Sequence, residues 1–373
     1  MARFAKIDGS PALKDREATE EIDRFCRERL ASECAVERLA GDASTRVYYR
    51  LRSASGAVPL VLMDTGRPID PSEDPFLKAD ELFSRLGLPV PRIVQVFPDE
   101  GRILLEDLGD VLLQFQVDRS SEEERERLYG RALEHLVLLH TDGTLALFNA
   151  PAHPAARQAL DKERFLFELE FMLEHYGRAL RRAALSEPQL AVLREWFEWL
   201  SAEAASFGRV LCHRDYHSRN LMLHGDELAL LDFQDARWGP VTYDVASLLR
   251  DSYVSLAEPF VERMLEQFRG LLLGRVRSVA EGNGEPLGGL APLLNDPLEW
   301  RRRFDLTCLQ RNLKALGTFG YQMVVRGNDV YLRYIAPTSR HVRRNLLRFP
   351  QFASVLEVFD RSGILPAEAE SGT

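Results

Sequence analysis

Three polar side chains between apolar flanks make residues 210–235 the stretch of the sequence most suggestive of chemistry. Asp215 follows a His-Arg pair, Asn220 lies five positions after that acid, and Asp232 follows a short apolar run. Phosphoryl transfer needs a base that orients the attacking hydroxyl and oxygen ligands for Mg²⁺. Two carboxylates and an amide supply these groups. The alternative interpretation is a polar loop between strands whose Asp and Asn side chains are hydrogen-bonded within the protein.

The spacing of these residues reproduces the kinase signature H-R-D-x-x-x-x-N followed by D-F, from His213 to Phe233. Protein kinases place an activation loop after D-F-G. Here Gln234 replaces that glycine, and the stretch GPVTYDVASLL begins seven residues after Asp232. Because this leaves no room for an activation segment, we expect a small-molecule substrate and not a protein.

Short strands must hold these groups, and the hydrophobic patterns predict where strands and helices lie. In the second part of the chain, strands are predicted only at 209–213, 220–224 and 228–233. Helices are predicted there near 121–141, 157–182, 187–206, 256–273, 298–325 and 340–359. The first part of the chain is predicted to contain a helix at 12–31, strands within 36–64, a helix at 72–87 and a hairpin that turns at 99–101.

The motifs resemble those of the aminoglycoside phosphotransferase and choline kinase family. That family has the pattern H-x-D-x-x-x-x-N, then (I/L)-D-(F/W)-x-x-A, then G-x-P-x-x-D-(L/V)-A, which here read HRDYHSRN, LDFQDA and GPVTYDVA. Looser strings, among them GDASTRVYYR, LLEDLGD and RNLKALGTF, are similar to one branch of the family. This branch contains the anomeric sugar kinases that act on N-acetylmuramate and N-acetylglucosamine in bacterial cell-wall recycling.

The resemblance implies an α+β, protein-kinase-like bilobal fold and an ATP-dependent kinase that phosphorylates the sugar 1-hydroxyl. Residues 1–107 would form a small nucleotide-binding lobe with an antiparallel sheet and helices. Residues 108–373 would form a larger, mainly helical lobe with the catalytic loop, the metal and the sugar. The alternatives are a kinase of the same fold for another alcohol, such as an aminoglycoside or choline, and an inactive nucleotide-binding module.

Carried onto this sequence, the resemblance makes Asp215 the catalytic base and Asn220 and Asp232 the ligands of Mg²⁺. Magnesium is therefore the expected cofactor and ATP the co-substrate. Asp244 would hydrogen-bond backbone amides of the catalytic loop, and His213 would be a core histidine that braces the loop. Both of these roles are structural.

Five charged residues are candidates for the sugar site. Asp235 would assist a second metal or bind the sugar, unless it only stabilises a turn. Arg311 and Lys314 lie one helical turn apart, and a bidentate Arg would suit the lactyl carboxylate of N-acetylmuramate; the alternative for this pair is a solvated helix face. Arg237 and Arg250 are further candidates. Such a mixture of charges favours a neutral or anionic sugar over a polycationic aminoglycoside.

Two segments are predicted to contact the nucleotide. In AGDASTRVYY, small residues let backbone N–H groups approach the phosphates, and Ser44, Thr45 and Arg46 add two hydroxyls and a cation. A plain hairpin turn is the alternative for this segment. In LLEDLGD, backbone groups of Glu106 and Leu108 would pair with adenine.

One expected feature of a kinase is missing. The strand that should carry the phosphate-clamping Lys reads VPLVLMDTG, with Met63 and Asp64 in the place of that Lys. The anomeric sugar kinases resemble this sequence in lacking the Lys. Arg46 is the predicted replacement for its charge, with Arg50 and Arg52 as alternatives.

Composition limits the remaining partners. The chain has 373 residues, of which 45% are hydrophobic and 28% charged, as is typical of a globular protein. A net charge of −9 argues against a nucleic-acid partner, because phosphate binding needs a basic surface. No stretch approaches the ~18 apolar residues of a membrane span, and the four cysteines show no zinc spacing. We therefore expect a cytoplasmic protein that binds neither nucleic acid nor membrane; its oligomeric state is open, with a monomer favoured.

Overall fold

The computed structural model describes residues 11–39, 46–54, 56–283 and 287–366. Contacts divide the chain into two compact units, residues 1–74 with 91–109 and residues 75–90 with 110–373. The first unit contains a sheet and the second is mostly helical, which is the predicted α+β composition. Among the described residues, no helix is long and apolar enough to cross a membrane.

The first unit is a five-stranded antiparallel sheet with a helix packed on it. Helix α1 is Pro11–Arg29, and the strands are β1 (Cys34–Arg38), β2 (Val47–Ser53), β3 (Leu60–Asp64), β4 (Ile93–Phe97) and β5 (Arg102–Glu106). The order in the sheet is β1-β2-β3-β5-β4. Alternate residues of a strand point to the same face, so buried side chains such as Tyr49 and Leu51 meet Ile22, Phe25 and Cys26 of α1.

The hairpin between β4 and β5 turns where the sequence predicts it. Gly101 has a φ of +67°, and a Cβ on this residue would lie 2.0 Å from the carbonyl oxygen of Arg67. Both the left-handed backbone and the close approach therefore require glycine at this position.

The second unit contains the other helices. They are α2 (Pro75–Arg85), α3 (Leu113–Val117), α4 (Glu122–Leu138), α5 (Thr144–Phe148), α6 (Lys162–Met172), α7 (Glu187–Ala205), α8 (Tyr243–Leu249), α9 (Glu258–Asn283), α10 (Leu290–Leu294), α11 (Pro297–Val324), α12 (Ile335–Leu347) and α13 (Ala353–Ser362). Two π-helical segments, Leu139–Gly143 and Leu173–Leu180, follow α4 and α6 directly. Helix α11 supplies Leu306, Leu309, Leu313 and Leu316 to the core at helical spacing.

Four short strands of the second unit bring two loops together. Strand β6 (Arg209–Cys212) pairs with β9 (Arg237–Pro240), and β7 (Leu221–His224) pairs with β8 (Glu227–Leu230). Residues 213–220 run from β6 to β7, and residues 231–236 run from β8 back to β9. Both loops therefore bridge the same two strand pairs, and the backbone N–H of Leu231 donates to the carbonyl of Asn220 at 2.9 Å.

The prediction of only three strands in this part of the chain is wrong, because β9 is a fourth. Its sequence RWGP contains glycine and proline, which usually indicate a turn. The strand exists because it pairs with β6 along its whole length, from Arg237 opposite Cys212 to Pro240 opposite Arg209. Pairing between strands distant in the sequence is not visible in a local pattern.

Three predicted helices have different limits. The single helix predicted at 340–359 is wrong: α12 ends at Leu347 and α13 begins at Ala353, with Pro350 between them. Proline lacks the N–H that would continue a helix. The helix predicted at 157–182 begins only at Lys162, where the Asp161 side chain accepts from the N–H of Arg164. Helix α9 extends ten residues beyond the predicted end at 273, to Asn283.

Candidate active site

Two buried carboxylates hold the backbone of the loop 213–220, and both lie at the ends of α8. Asp244 accepts hydrogen bonds from the N–H groups of His213, at 2.7 Å, and Arg214, at 2.9 Å. Asp251 accepts from the N–H of Ser218 at 2.9 Å and, with its other oxygen, from the N–H of Tyr253 at 2.8 Å. Because these bonds reach both halves of the loop, one helix and its C-terminal turn fix the loop conformation.

Arg214 has a backbone conformation that is rare for a residue with a side chain. Its φ is +83°, in the region that favours glycine. Its N–H is bound to Asp244, and its carbonyl accepts a hydrogen bond from Nη1 of Arg311 at 2.8 Å. The Arg311 guanidinium in turn lies over the ring of Tyr243, 4.6 Å from its centroid. A strained peptide persists when its surroundings fix it on several sides, and α8 and α11 do so here.

The strained peptide presents Asp215 to a set of cations. Nζ of Lys314 lies 3.0 Å from Oδ1 of Asp215, and Nε of Arg214 lies 3.8 Å from Oδ2. Burial raises the pKa of this carboxyl, but Lys314, Arg214 and Arg311 outweigh burial and hold the pKa well below its ordinary value. The Asp215 side chain remains 24% exposed. It is therefore an ionised carboxylate that a small molecule can reach.

Asn220 and Asp232 lie at the ends of neighbouring strands, with their side chains differently engaged. Nδ2 of Asn220 donates to the carbonyl of Asp215 at 2.9 Å. The amide orientation is thereby fixed, because only the NH₂ group can donate to a carbonyl, and Oδ1 is left as the acceptor end. Asp232 is exposed, with a left-handed φ of 61°. Its Oδ1 accepts from the amide of Gln234 at 2.6 Å.

Asp235 lies between two arginines. Its Oδ2 accepts from Nη1 of Arg214 at 2.7 Å, and its Oδ1 accepts from Nη2 of Arg237 at 3.1 Å. Burial, and then the charge of Arg214, lower the pKa of Arg237. The Asp235 side chain is still 49% exposed. This arrangement orders the turn between Asp232 and β9 and also leaves a carboxylate edge open.

The two histidines of the loop differ in their surroundings. His213 is fully buried, between the rings of Phe83 and Tyr216. His217 packs with its ring edge-on to Tyr253 at 5.1 Å, and burial lowers its pKa to about 3, although Asp215 opposes this shift. His217 is therefore neutral at physiological pH.

Of the other cations proposed for the sugar, Arg250 is enclosed in the second unit. It is 2% exposed, and its Nη2 donates to Glu258 at 2.8 Å. Arg311 does not lie on a solvated helix face, because it is bound to the Arg214 carbonyl and the Tyr243 ring. Lys314 is only 16% exposed.

The first unit carries the residues proposed for the nucleotide. Ser44 and Thr45 lie outside the described residues, and Arg46 directly precedes β2. Glu106 is the last residue of β5, and its N–H donates to the carbonyl of Arg92 at 2.9 Å. Leu108 follows in the chain and is buried.

The strand with the missing Lys offers no cation of its own. Met63 is fully buried within the sheet, and Asp64 accepts a hydrogen bond from Nε of Arg102 at 3.0 Å. Arg50 forms a bidentate pair with Asp107, through Nε at 2.6 Å and Nη2 at 3.0 Å. Arg52 pairs with Glu37 on the surface.

Two features of the site escaped the sequence analysis. Asp251 is a second anchor of the loop, although the string Asp-Ser-Tyr is typical of an Asp that accepts from the N–H two residues later, as it does here. Arg219 lies over the rings of Tyr253, at 4.8 Å, and Tyr331, at 5.6 Å. No local signal predicts that contact, because Tyr331 comes from a distant segment.

Comparisons with known proteins show the family and the fold of the chain. The model of the "Phosphotransferase enzyme family" matches residues 35–279. An N-acetylmuramate/N-acetylglucosamine kinase from Pseudomonas aeruginosa is 32% identical over 332 residues, which are 89% of each chain. Its namesake from Neisseria meningitidis is 30% identical over 84% of this chain and 86% of that one. A choline kinase structure from Cryptosporidium parvum has a TM-score of 0.56, with 13% identity over 95% of this chain and all of the other.

Proposed function

The chain belongs to the phosphotransferase enzyme family, and on that premise we propose that it is an ATP-dependent kinase for an N-acetylated amino sugar. The acceptor is the anomeric hydroxyl of N-acetylmuramate, N-acetylglucosamine or both, and the product is the sugar 1-phosphate of peptidoglycan recycling. Two bacterial relatives support this substrate, because each is named for both sugars and aligns with most of the chain.

The observation that carries the proposal is the ionised, accessible carboxylate of Asp215 on a loop anchored by Asp244 and Asp251. In this reaction Asp215 orients the acceptor hydroxyl and takes its proton. The anchors keep the carboxylate in place without reorganisation during the reaction, which is the basis of electrostatic catalysis.

Mg²⁺ is the cofactor in this proposal, with Asn220 and Asp232 as its protein ligands. Support comes from their chemistry: Mg²⁺ prefers oxygen donors, and the amide of Asn220 leaves its oxygen available because its NH₂ is bound to the Asp215 carbonyl. When bound, the metal neutralises charge on the phosphates of ATP.

The nucleotide is assigned to the first unit. Ser44, Thr45 and Arg46 are the proposed phosphate contacts, and the backbone of Glu106 and Leu108 the proposed adenine contacts. Arg46 is the proposed substitute for the missing Lys, with Arg50, which pairs with Asp107, and Arg52, which pairs with Glu37, as the alternatives.

For the sugar site, the proposed residues are Asp235, Arg237, Arg311 and Lys314. Arg237 and Arg311 already hydrogen-bond protein groups of the two loops, so they act on the sugar mainly by fixing Asp235 and Arg214. Asp235 has an exposed carboxylate edge for a sugar hydroxyl. Lys314 donates a hydrogen bond to Asp215.

A kinase of the same fold for choline or an aminoglycoside is the second candidate. The likeness to a choline kinase structure, at 13% identity, shows only the shared fold. Cationic acceptors are disfavoured at a site where Arg214, Arg311 and Lys314 surround the carboxylate that must receive them.

The test is an incubation of the purified protein with Mg·ATP and N-acetylmuramate, N-acetylglucosamine, kanamycin or choline, followed by ³¹P NMR. We expect a sugar 1-phosphate signal that is lost in Asp215→Asn and retained in Asp226→Asn, a matched exposed aspartate in the turn between β7 and β8. Phosphate on kanamycin or choline would keep the fold and overturn the substrate. Silence with all four acceptors would favour an inactive module.

A further inference from the structure

Strand β3 leaves this kinase without the usual cation of the fold. In protein kinases a Lys on the corresponding strand contacts the phosphates of ATP. Here Met63 is fully buried and Asp64 is hydrogen-bonded to Arg102. That Lys pairs with the α- and β-phosphates, which is the task proposed for Arg46, so the transferred phosphoryl group still needs a cation of its own near Asp215.

We propose that Lys314 of α11 is a catalytic residue whose ammonium group stabilises the charge on the phosphoryl group while that group passes to the acceptor held by Asp215. The inference rests on the proposed phosphotransfer and adds a residue to it. It assigns Lys314 to the reacting phosphoryl group and not to the sugar substituents.

The position of Lys314 differs from that of the other cations around the loop. Nζ of Lys314 donates to Oδ1 of Asp215 itself at 3.0 Å. By contrast, the hydrogen bonds of Arg311 and Arg214 go to the Arg214 carbonyl and to Asp235. Lys314 thus comes within bonding distance of the group that receives the acceptor.

The helix that carries Lys314 keeps it in this position. Helix α11 is 28 residues long, and Leu313 and Leu316, which flank Lys314, are fully buried. One turn earlier, Arg311 is tied to the loop itself. A cation on a packed helix is placed more accurately than one on a loop.

The reaction assigns separate tasks to the two oxygens of Asp215. Oδ1 is bound to Lys314, so Oδ2 takes the proton of the sugar hydroxyl. The hydroxyl oxygen forms a bond to the γ-phosphorus while the bond from that phosphorus to the β–γ bridging oxygen breaks. ADP leaves with the electron pair of that bond, and the proton passes from Asp215 to solvent.

Charge on the phosphoryl group is what Lys314 would stabilise. During the transfer, negative charge is spread over the three outer oxygens of this group. The hydroxyl bound to Oδ2 is the group that attacks the phosphorus, so the phosphoryl group comes close to the ammonium group on Oδ1, and opposite charges within about 4–6 Å interact strongly. Stabilisation of this kind lowers the barrier without tightening substrate binding equally.

The test compares Lys314→Met with Lys314→Arg, and uses Arg302→Met as the matched control. Arg302 is a cation of the same helix, paired with Glu203 about 18 Å along the axis from Lys314. For Lys314→Met we expect kcat to fall about 10²–10³-fold, equally for N-acetylmuramate and N-acetylglucosamine, with KM for ATP and sugar nearly unchanged. Lys314→Arg should retain part of the activity, and Arg302→Met should behave as wild type.

The pair of sugars separates this role from a carboxylate-binding role, since only N-acetylmuramate carries the lactyl carboxylate. If Lys314→Met raised KM for N-acetylmuramate alone and kept kcat, the proposal would be overturned in favour of a carboxylate subsite. Unchanged kcat with both sugars would overturn it as well. Melting temperatures of all variants show whether any of them fails to fold.

A second measurement is independent of the acceptor. Calorimetry compares the affinity for Mg·ADP with the affinity for Mg·ADP plus aluminium fluoride, which imitates the transferred phosphoryl group. Aluminium fluoride should increase the affinity for Mg·ADP at least tenfold less in Lys314→Met than in the wild type, while the affinity for Mg·ADP alone stays unchanged. An equal increase in wild type and variant would contradict the role of Lys314. If the wild type phosphorylated neither sugar, the proposed function would fail while this measurement still decided the role of Lys314.

Discussion

The sheet of the first unit and the loop 213–220 of the second both contain buried charged groups, but they use them differently. In the sheet, Arg50 pairs with Asp107, and Arg102 pairs with Asp64 and Glu21. In the loop, the anchoring carboxylates of Asp244 and Asp251 bind backbone N–H groups.

This difference distinguishes charged side chains that stabilise the fold from charged side chains that take part in the reaction. The paired side chains of the sheet neutralise one another inside the protein. The carboxylates that bind the backbone fix the loop, and on that loop Asp215, although paired with Lys314, remains partly exposed to a substrate. The following changes test this distinction in both regions, in order of decreasing effect.

The largest effect is expected for Asp215→Asn. The variant keeps the shape of the side chain but cannot accept the proton of the acceptor, so kcat should fall about 10²–10⁴-fold. ADP release in a coupled assay measures kcat. Thermal unfolding measures stability, which should also fall, because Lys314 and Arg214 lose their carboxylate partner, so kcat is compared at a temperature where both proteins are folded. A variant with near-normal kcat would remove Asp215 from the reaction.

Met63→Lys restores the side chain that kinases of this fold carry. Met63 is fully buried within the sheet, and an ammonium group without a partner there should reduce the free energy of unfolding by about 3–5 kcal/mol. Met63→Leu is the volume-matched control, with a cost below about 1.5 kcal/mol. Urea unfolding measures both. A Met63→Lys variant that is stable and binds ATP more tightly would mean that the strand still accommodates the phosphate clamp.

Asp244→Ala and Asp64→Ala compare an anchor of the loop with an acid of the sheet. Without Asp244, two buried N–H groups lose their acceptor, which should cost about 2–6 kcal/mol of stability, since each such group costs about 1–3 kcal/mol. Without Asp64, Arg102 still pairs with Glu21, so the cost should be about 1–2 kcal/mol. At a temperature where both variants are folded, kcat should fall only in Asp244→Ala; an equal loss in Asp64→Ala would contradict the distinction.

The smallest effect concerns pH and belongs to the second unit, because the sequence contains no histidine before His135. Burial, with help from Arg344 and Arg250, lowers the pKa of His341 to about 3. The unfolded chain, in which a histidine has a pKa near 6.5, therefore binds more protons than the folded chain between about pH 6.5 and 3. Stability is fully present above this window and declines as the pH falls through it.

His341→Gln should remove this contribution. At pH 5.5, one unit below the pKa of an unfolded histidine, protonation of His341 in the unfolded chain should lower the free energy of unfolding by about 1.4 kcal/mol. The loss of unfolding free energy between pH 7.5 and 5.5 should therefore be smaller by about this amount in the variant. His217 and His135, whose pKa values burial lowers to about 3 and about 4, should cause the remaining decline. An unchanged pH dependence in His341→Gln would show that His341 does not titrate in this way.

Much of the fold follows from local patterns, and the exceptions have physical reasons. Helices α1, α7 and α11 begin and end within two residues of the predicted limits, because periodicity, caps and prolines are local signals. Strand β9 was missed because its stability comes from pairing with β6. The apolar pattern predicts one helix at 340–359, but the helix is interrupted at Pro350, because proline lacks the N–H that continues a helix.

For the site, the sequence by itself determined which residues take part in the reaction and in what order they occur along the chain. The spacing of Asp215, Asn220 and Asp232 indicates phosphoryl transfer, because it reproduces the kinase signature and because that reaction needs a base for the acceptor hydroxyl and oxygen ligands for Mg²⁺. It also indicates a small acceptor, since the chain after Asp232 is too short for an activation segment. These conclusions follow from the sequence alone.

Only the tertiary structure decided what surrounds these groups. Lys314 lies 99 positions after Asp215 in the chain, yet its ammonium group binds that carboxylate. Arg311 looks like a surface residue of a helix but is bound to the carbonyl of Arg214. Contacts of this kind depend on how helices pack, and packing is set by the whole core and not by the residues that make the contact.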